Sequence, residues 1–310
     1  MTSQVAQEFS TELERRWGPL TTLPKSKSLF ELGGRVRLYL RYSRVHRQSS
    51  PFFGLRQIDL VQLEGFASFI CLLWDGQAEP LIIPYEDFRE VFAGVAPASD
   101  GQYKVHVELH KGGTDLRVVR AGRFGVDAYY GTGRLAAAIE REGATQTCPE
   151  LSHSQVQTLL GAIGNKCGYA VWTPVADRHS LDFALSGEFP LIDALPEVGA
   201  PGVRNVVQQI DVLWLERRRN TISAAFEVEF STPIYSALLR FNDLFIDFKL
   251  PRAAVVAREE RRSAFVKQVN RRTFQASGLS DICAFYEFPD VYRWFGRLRP
   301  GHVRATDQAT

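Results

Sequence analysis

Two runs constrain this chain more than any other part of it: Gln209-Ile210-Asp211-Val212-Leu213-Trp214 and Phe226-Glu227-Val228-Glu229-Phe230. Each reads as a buried β-strand, and each carries carboxylates where a core strand should have none. An ionised carboxylate in such a place costs several kcal/mol unless a cation or a set of donors offsets it. Between the runs, Glu216-Arg217-Arg218-Arg219-Asn220 supplies a polar break suited to a hairpin, with no Asn-Gly or Asp-Gly pair to fix its type. Antiparallel pairing that sets Asp211 opposite Glu227 brings Glu229 to the same face, because side chains repeat every second residue along a strand. The pattern predicts three acids on one patch, with a metal ion as their natural counter-charge. The competing reading leaves the acids structural, satisfied by Arg217 to Arg219 or other donors.

The flanking segments predict a mixed sheet. Ser231-Thr232-Pro233 reads as a helix start, with Thr232 as N-cap and proline at the first helical position. Ile234, Ala237, Leu238, Phe241, Leu244 and Phe245 give that helix, running to about Asp247, one apolar stripe, with Tyr235 and Arg240 as polar extras. Downstream come a short buried strand over Ala253 to Ala257, a charged helix over Glu259 to Thr273 and a strand over Ile282 to Tyr286. Upstream, Ser152 to Lys166 reads as an amphipathic helix, closed by Gly164 to Gly168 and followed by a strand over Tyr169 to Trp172.

An acid on one strand and an acid-x-acid on the next, in this order of elements, resembles the core of the PD-(D/E)XK nuclease superfamily over roughly residues 148 to 290. The resemblance implies a restriction-endonuclease-like fold, a Mg²⁺ cofactor held by Asp211 and Glu227, and hydrolysis of double-stranded DNA by a type II-like enzyme, as a homodimer. Glu229 stands where that family usually has lysine, an ExE variant that leaves water activation without its usual cation. Glu229 itself, Lys166 or Arg240 can fill that role. The accessory acid that the family often carries on its leading helix has Glu150 as nearest candidate, with Asp177 and Asp182 beside it; all three also suit solvent-exposed helix starts and loops. A loss of the lysine also fits a catalytically inactive nuclease fold kept for binding DNA or a partner.

The fold class expected is therefore α+β or α/β: a restriction-endonuclease-like mixed sheet flanked by helices over 148–292, preceded by a β-rich N-terminal domain over 1–143 that helps select DNA, and followed by a basic tail over 293–310. At 310 residues and 45% hydrophobic content the chain can bury two such cores. Cys71, Cys148, Cys167 and Cys283 form no CxxC pair, which favours free thiols and a reducing, cytoplasmic setting. No apolar run reaches the eighteen or so residues of a membrane span.

Net charge is only +2, so the local distribution carries the argument for a polyanion. From Leu32 to Ile58 there are six arginines and no acid, and Arg35, Arg37, Tyr39 and Arg41 alternate with Val36, Leu38 and Leu40. That pattern predicts a half-buried strand with a basic, aromatic wet face able to follow phosphates, or simply a solubilising outer face. Further strands are expected at Phe66 to Trp74, Pro80 to Ile83, Tyr103 to His110 and Asp115 to Val119, with helices over Tyr85 to Phe92 and Leu135 to Glu142. His106, Glu108 and His110 alternate along one of these strands and offer a competing ligand set for iron or zinc, although any half-solvated strand shows the same alternation.

Overall fold

The computed structural model describes residues 3–24, 26–45, 50–143, 148–195, 201–217 and 221–298. They fall into two compact units, one up to residue 146 and one from 147 to 300. Both are mixed α/β.

The first unit opens with α1 (Gln4–Trp17), β1 (Leu20–Thr22), β2 (Leu29–Leu32), β3 (Val36–Ser43), β4 (Phe52–Arg56), α2 (Gln57–Val61) and β5 (Ser68–Trp74). It continues with β6 (Leu81–Pro84), α3 (Tyr85–Ala93), β7 (Gln102–His110), β8 (Gly113–Val118), β9 (Gly122–Gly125) and α4 (Gly133–Gly143). One sheet runs β1-β2-β3-β5-β6 and the other β4-β7-β8-β9. Strand β3 is central, and its two sides feed different cores: Tyr39 packs with Phe53, Ile70, Val105 and Leu116, whereas Val36 and Leu38 pack with Leu13 and Ile139.

That placement corrects the expected wet face. Tyr39 is fully buried and its hydroxyl accepts the Arg56 N–H at 3.0 Å. Arg37 lies over the Phe66 ring at 3.3 Å and donates to Gln62 O at 2.6 Å, and Arg41 donates to Ser28 Oγ at 3.3 Å. Only Arg35, just before the strand, is exposed. The physical reason is that arginine stems cover apolar surface while their heads find local acceptors, so an alternating Arg pattern also suits a strand covered on both sides. The HxExH reading is corrected as well. Glu108 is gripped by Arg117 at 2.6 Å and Arg123 at 2.7 Å, His110 sits 3.3 Å from Asp115, and His106 packs on Phe52. Among the described residues no group of three or more His, Cys, Asp or Glu is arranged to hold a metal ion.

The second unit contains α5 (His153–Lys166), β10 (Ala170–Trp172), α6 (Phe183–Ser186), α7 (Pro201–Val207), β11 (Val212–Glu216), β12 (Thr221–Glu229) and α8 (Ile234–Phe248). It closes with β13 (Ala253–Ala257), α9 (Arg262–Val269), α10 (Arg272–Ser277), α11 (Leu279–Ile282), β14 (Cys283–Glu287) and α12 (Phe288–Arg297). The sheet order β10-β11-β12-β13-β14 follows the chain, antiparallel up to β12 and parallel beyond it. Val212 pairs with Phe226 and Leu213 with Ala225, the register read from the sequence, before a bulge after Trp214.

Helix α5 starts on a capping box between Ser152 and Gln155. Two expected starts shift. Pro233, not Thr232, is the N-cap residue of α8, because the Thr232 hydroxyl is spent on Glu229. The charged segment after β13 is not one helix: α9 ends at Val269 and α10 begins at Arg272.

The two faces of this sheet are covered differently. On one, α8 buries Ile234, Ala237, Leu238, Phe241 and Leu244 against Ala225, Val255 and Ala257. On the other, α5 lies so close that its Gly164 rests on Trp214, whose indole N–H donates to Leu160 O at 3.0 Å. Buried Arg252 sits in a cage of Trp214, Phe226 and Trp294, its guanidinium carbon 4.7, 5.3 and 5.7 Å from the rings. Desolvation lowers its pKa to about 10, so the ring faces are what make its charge tolerable there. A methyl group at Gly164 would meet the Trp214 indole at 2.4 Å. Gly164→Ala is therefore expected to destabilise the protein by about 1–3 kcal/mol, read as a lowered midpoint in denaturant unfolding.

Candidate active site

The chemistry-bearing side chains gather at the C-terminal end of β12. Glu227 and Glu229 are each only 2% exposed, and they share the α8 face with Ala225 because all three are two residues apart. Their parallel partners are Val255 and Ala257, so the strand on that side offers them no polar group. Asp211 lies immediately before β11, one residue beyond the Val212 and Phe226 pair, close enough to Glu227 to act on its carboxyl. Its Oδ2 accepts the Val228 N–H at 2.7 Å.

Helices bring the counter-charges. From the second turn of α8, Arg240 Nε donates to Glu227 Oε1 at 2.6 Å. In the turn before α8, the Thr232 hydroxyl donates to Glu229 Oε2, and the Arg261 guanidinium donates to the Thr232 carbonyl. The first residue of α5, His153, places Nε2 3.5 Å from Asp211 Oδ2 and its ring 6.2 Å from that of Phe230. One turn further, the buried Gln157 amide donates to Asp211 O at 2.9 Å and to Asp177 Oδ2 at 3.3 Å.

The electrostatics are those of an under-neutralised cluster. Burial, reinforced by Asp211 and Glu229, pushes the Glu227 carboxyl up to about 8 against the pull of Arg240. Burial and Asp211 likewise raise Glu229, opposed by Thr232, Arg240 and Arg261. His153 is raised by its hydrogen bond to Asp211, with Asp177 and Glu229 adding to the effect. Arg240 is raised by Glu227. Hard carboxylate oxygens short of positive charge suit a hard divalent cation. Among the described residues no group of three such side chains is arranged to hold a metal ion, so Asp211 and Glu227 would have to serve as a pair. Two carboxylates match Mg²⁺, which keeps several waters and takes the rest of its ligands from substrate phosphate.

Other residues singled out from the sequence are distributed unevenly. Glu150 is 85% exposed and pairs with Arg258 at 3.0 Å. Asp182 accepts from Gln155 at 3.0 Å, at the start of α6. Of the three accessory candidates it is Asp177 that is joined to the acids, through Gln157 and the field at His153. Lys166 is excluded as the missing cation: it ends α5, the helix that begins at His153, and so lies about 20 Å along the axis, with its ammonium over Phe295. Arg217 donates to Gly168 O and Tyr169 O, so it does not neutralise the acids; Arg218 and Arg219 lie outside the described residues. Sequence reasoning missed His153 and Gln157. Their i, i+4 spacing on α5 places both on one helical face, but a histidine and a glutamine at that spacing carry no motif of their own.

The sequence model described as the Type II restriction enzyme NmeDI C-terminal domain matches residues 135–300, more than half of the chain, and the chain belongs to that family. No curated protein and no solved structure matches it.

The raised Glu227 pKa has a measurable consequence in the metal-free protein. Its folded state holds a proton that the unfolded state releases near 4.5, so this group's contribution to stability is complete below pH 4.5 and is lost as pH rises towards 8. In EDTA, wild-type Tm is expected to fall across that window more steeply than that of Glu227→Gln, measured by calorimetry at matched salt.

Proposed function

We propose that the chain is a Mg²⁺-dependent, type II-like restriction endonuclease acting on double-stranded DNA. The observation that carries this reading is the buried Glu227 at the end of a core strand, held by Arg240 and under the influence of Asp211, in a chain of a restriction-enzyme family. Asp211 and Glu227 are the residues that would hold the cation. A bound Mg²⁺ supplies Lewis-acid polarisation of the phosphodiester and a more acidic water. Arg240 provides, from α8, the positive charge that the family usually draws from lysine, and it opposes charge building on the phosphate. Glu229 has its Oε2 fixed by Thr232 and its pKa raised by burial, so it is a stronger base than an exposed carboxylate and is suited to orient the attacking water and accept its proton. Cutting both strands calls for two such centres, which a homodimer provides, in the cytoplasm where DNA is accessible. DNA selection is assigned to the N-terminal unit, although not through a face built on Tyr39.

A second reading has its own support: Arg240 already occupies Glu227, as it would in a nuclease fold that has lost metal chemistry and only binds DNA or a partner. Duplex plasmid incubated with the protein in Mg²⁺ and in EDTA separates the two, discrete Mg²⁺-dependent fragments supporting the enzyme. Asp211→Ala and Glu227→Ala are each expected to slow cleavage at least about a hundredfold while duplex affinity in EDTA holds. Wild-type rates in either variant would remove the nuclease reading.

Glu229→Ala is expected to lose most activity, and Arg240→Ala to lose more than Arg240→Lys, which keeps the charge. Full activity in Glu229→Ala would leave that residue a buried acid satisfied by Thr232. Equal rates for the two Arg240 variants would deny the guanidinium any role through its charge.

A further inference from the structure

Helix α5 packs on the sheet through Val156, Leu159, Leu160 and Ile163, each fully buried. Gln157 is nonetheless turned inward with them, 1% exposed, and spends its amide on Asp211 O and Asp177 Oδ2. A buried amide is costly unless its donors are satisfied, and here they are satisfied by the residue at the centre of the site. On the same helical face, His153 Nε2 stands 3.5 Å from Asp211 Oδ2, the oxygen that also receives the Val228 N–H at 2.7 Å. Asp211 is thus held at its main chain by α5 and at one carboxylate oxygen by α5 and β12 together. The hydrogen bond from Val228 and the approach of His153 both fall on Oδ2.

We propose that Gln157 and His153 are positioning residues, which fix Asp211 so that Oδ1 is presented to a divalent cation. This rests on the reading of Asp211 as a metal ligand. Partners that orient a ligating carboxylate typically change metal affinity 10–100-fold when removed, roughly, without touching the metal themselves. Asp211 stands just outside β11, beyond the last strand pair, and its carbonyl takes the Gln157 hydrogen bond in place of the ladder.

The test is Mg²⁺ binding to the metal-free full-length protein by titration calorimetry, with Tm and duplex affinity in EDTA as controls. Gln157→Leu keeps the buried volume and loses the donors; His153→Ala loses the ring; His153→Gln keeps an N–H in place of Nε2. The first two are expected to weaken Mg²⁺ binding about 10–100-fold with duplex affinity in EDTA unchanged, and His153→Gln to recover most of it. Unaltered Mg²⁺ affinity in Gln157→Leu and His153→Ala would overturn the proposal, and equal loss in His153→Ala and His153→Gln would overturn the donor role of His153. Should Gln157→Leu fail to fold, the His153 pair decides alone. A wild-type protein that binds no Mg²⁺ would instead overturn the metal reading itself, and this inference with it.

Discussion

The hydrogen bond from Arg240 to the buried Glu227 carboxyl is the interaction on which the second unit's architecture turns. A carboxyl that is 2% exposed on a core strand cannot ionise without a partner, and no neighbour on the strands beside it supplies one. Arg240 reaches it only because α8 lies flat on this face of the sheet, anchored by Ile234, Ala237, Leu238 and Phe241. The turn between β12 and α8 is committed in the same way: Thr232 gives its hydroxyl to Glu229 and its carbonyl to Arg261, and the helix starts one residue later than its sequence suggests. Local helix chemistry has yielded to the acids.

The sheet divides its labour by face. The α8 side carries the charges, and the α5 side carries bulk: Trp214 with Phe226, Trp294 and Tyr169, closed over Arg252. Close approach of α5 to Trp214 through Gly164 brings its N-terminal turn to the strand ends, where His153 and Gln157 meet Asp211. Packing at one end of a rigid helix thereby sets polar geometry at the other, while Lys166, at the far end, is carried out of reach. A site assembled from a strand, two helix starts and a turn is more exactly held than one made of loops.

In the first unit the same physics works against a surface reading. Six arginines without an acid invite a polyanion, yet β3 is the middle strand of five and both of its sides are covered. Arg37 lies flat on Phe66, and Tyr39 hands its hydroxyl to a backbone N–H inside the core. Alternation reports that a strand has two unlike faces; it does not report what covers them.

What the sequence determined by itself was the local and the periodic. Strands β11 and β12, their register, the apolar stripe of α8 and the capping box of α5 are all written in residue spacing, because side-chain periods of two and 3.6 depend on the backbone alone. The nearness of Asp211 to Glu227 followed from that register. What only the tertiary structure decided was which distant groups answer the buried charge: Arg240 and not Lys166, Asp177 and not Glu150, with His153 and Gln157 behind Asp211. Those choices depend on where helices cross the sheet, and crossing is set by the fit of whole faces such as Gly164 against Trp214, which no local spacing in the chain encodes.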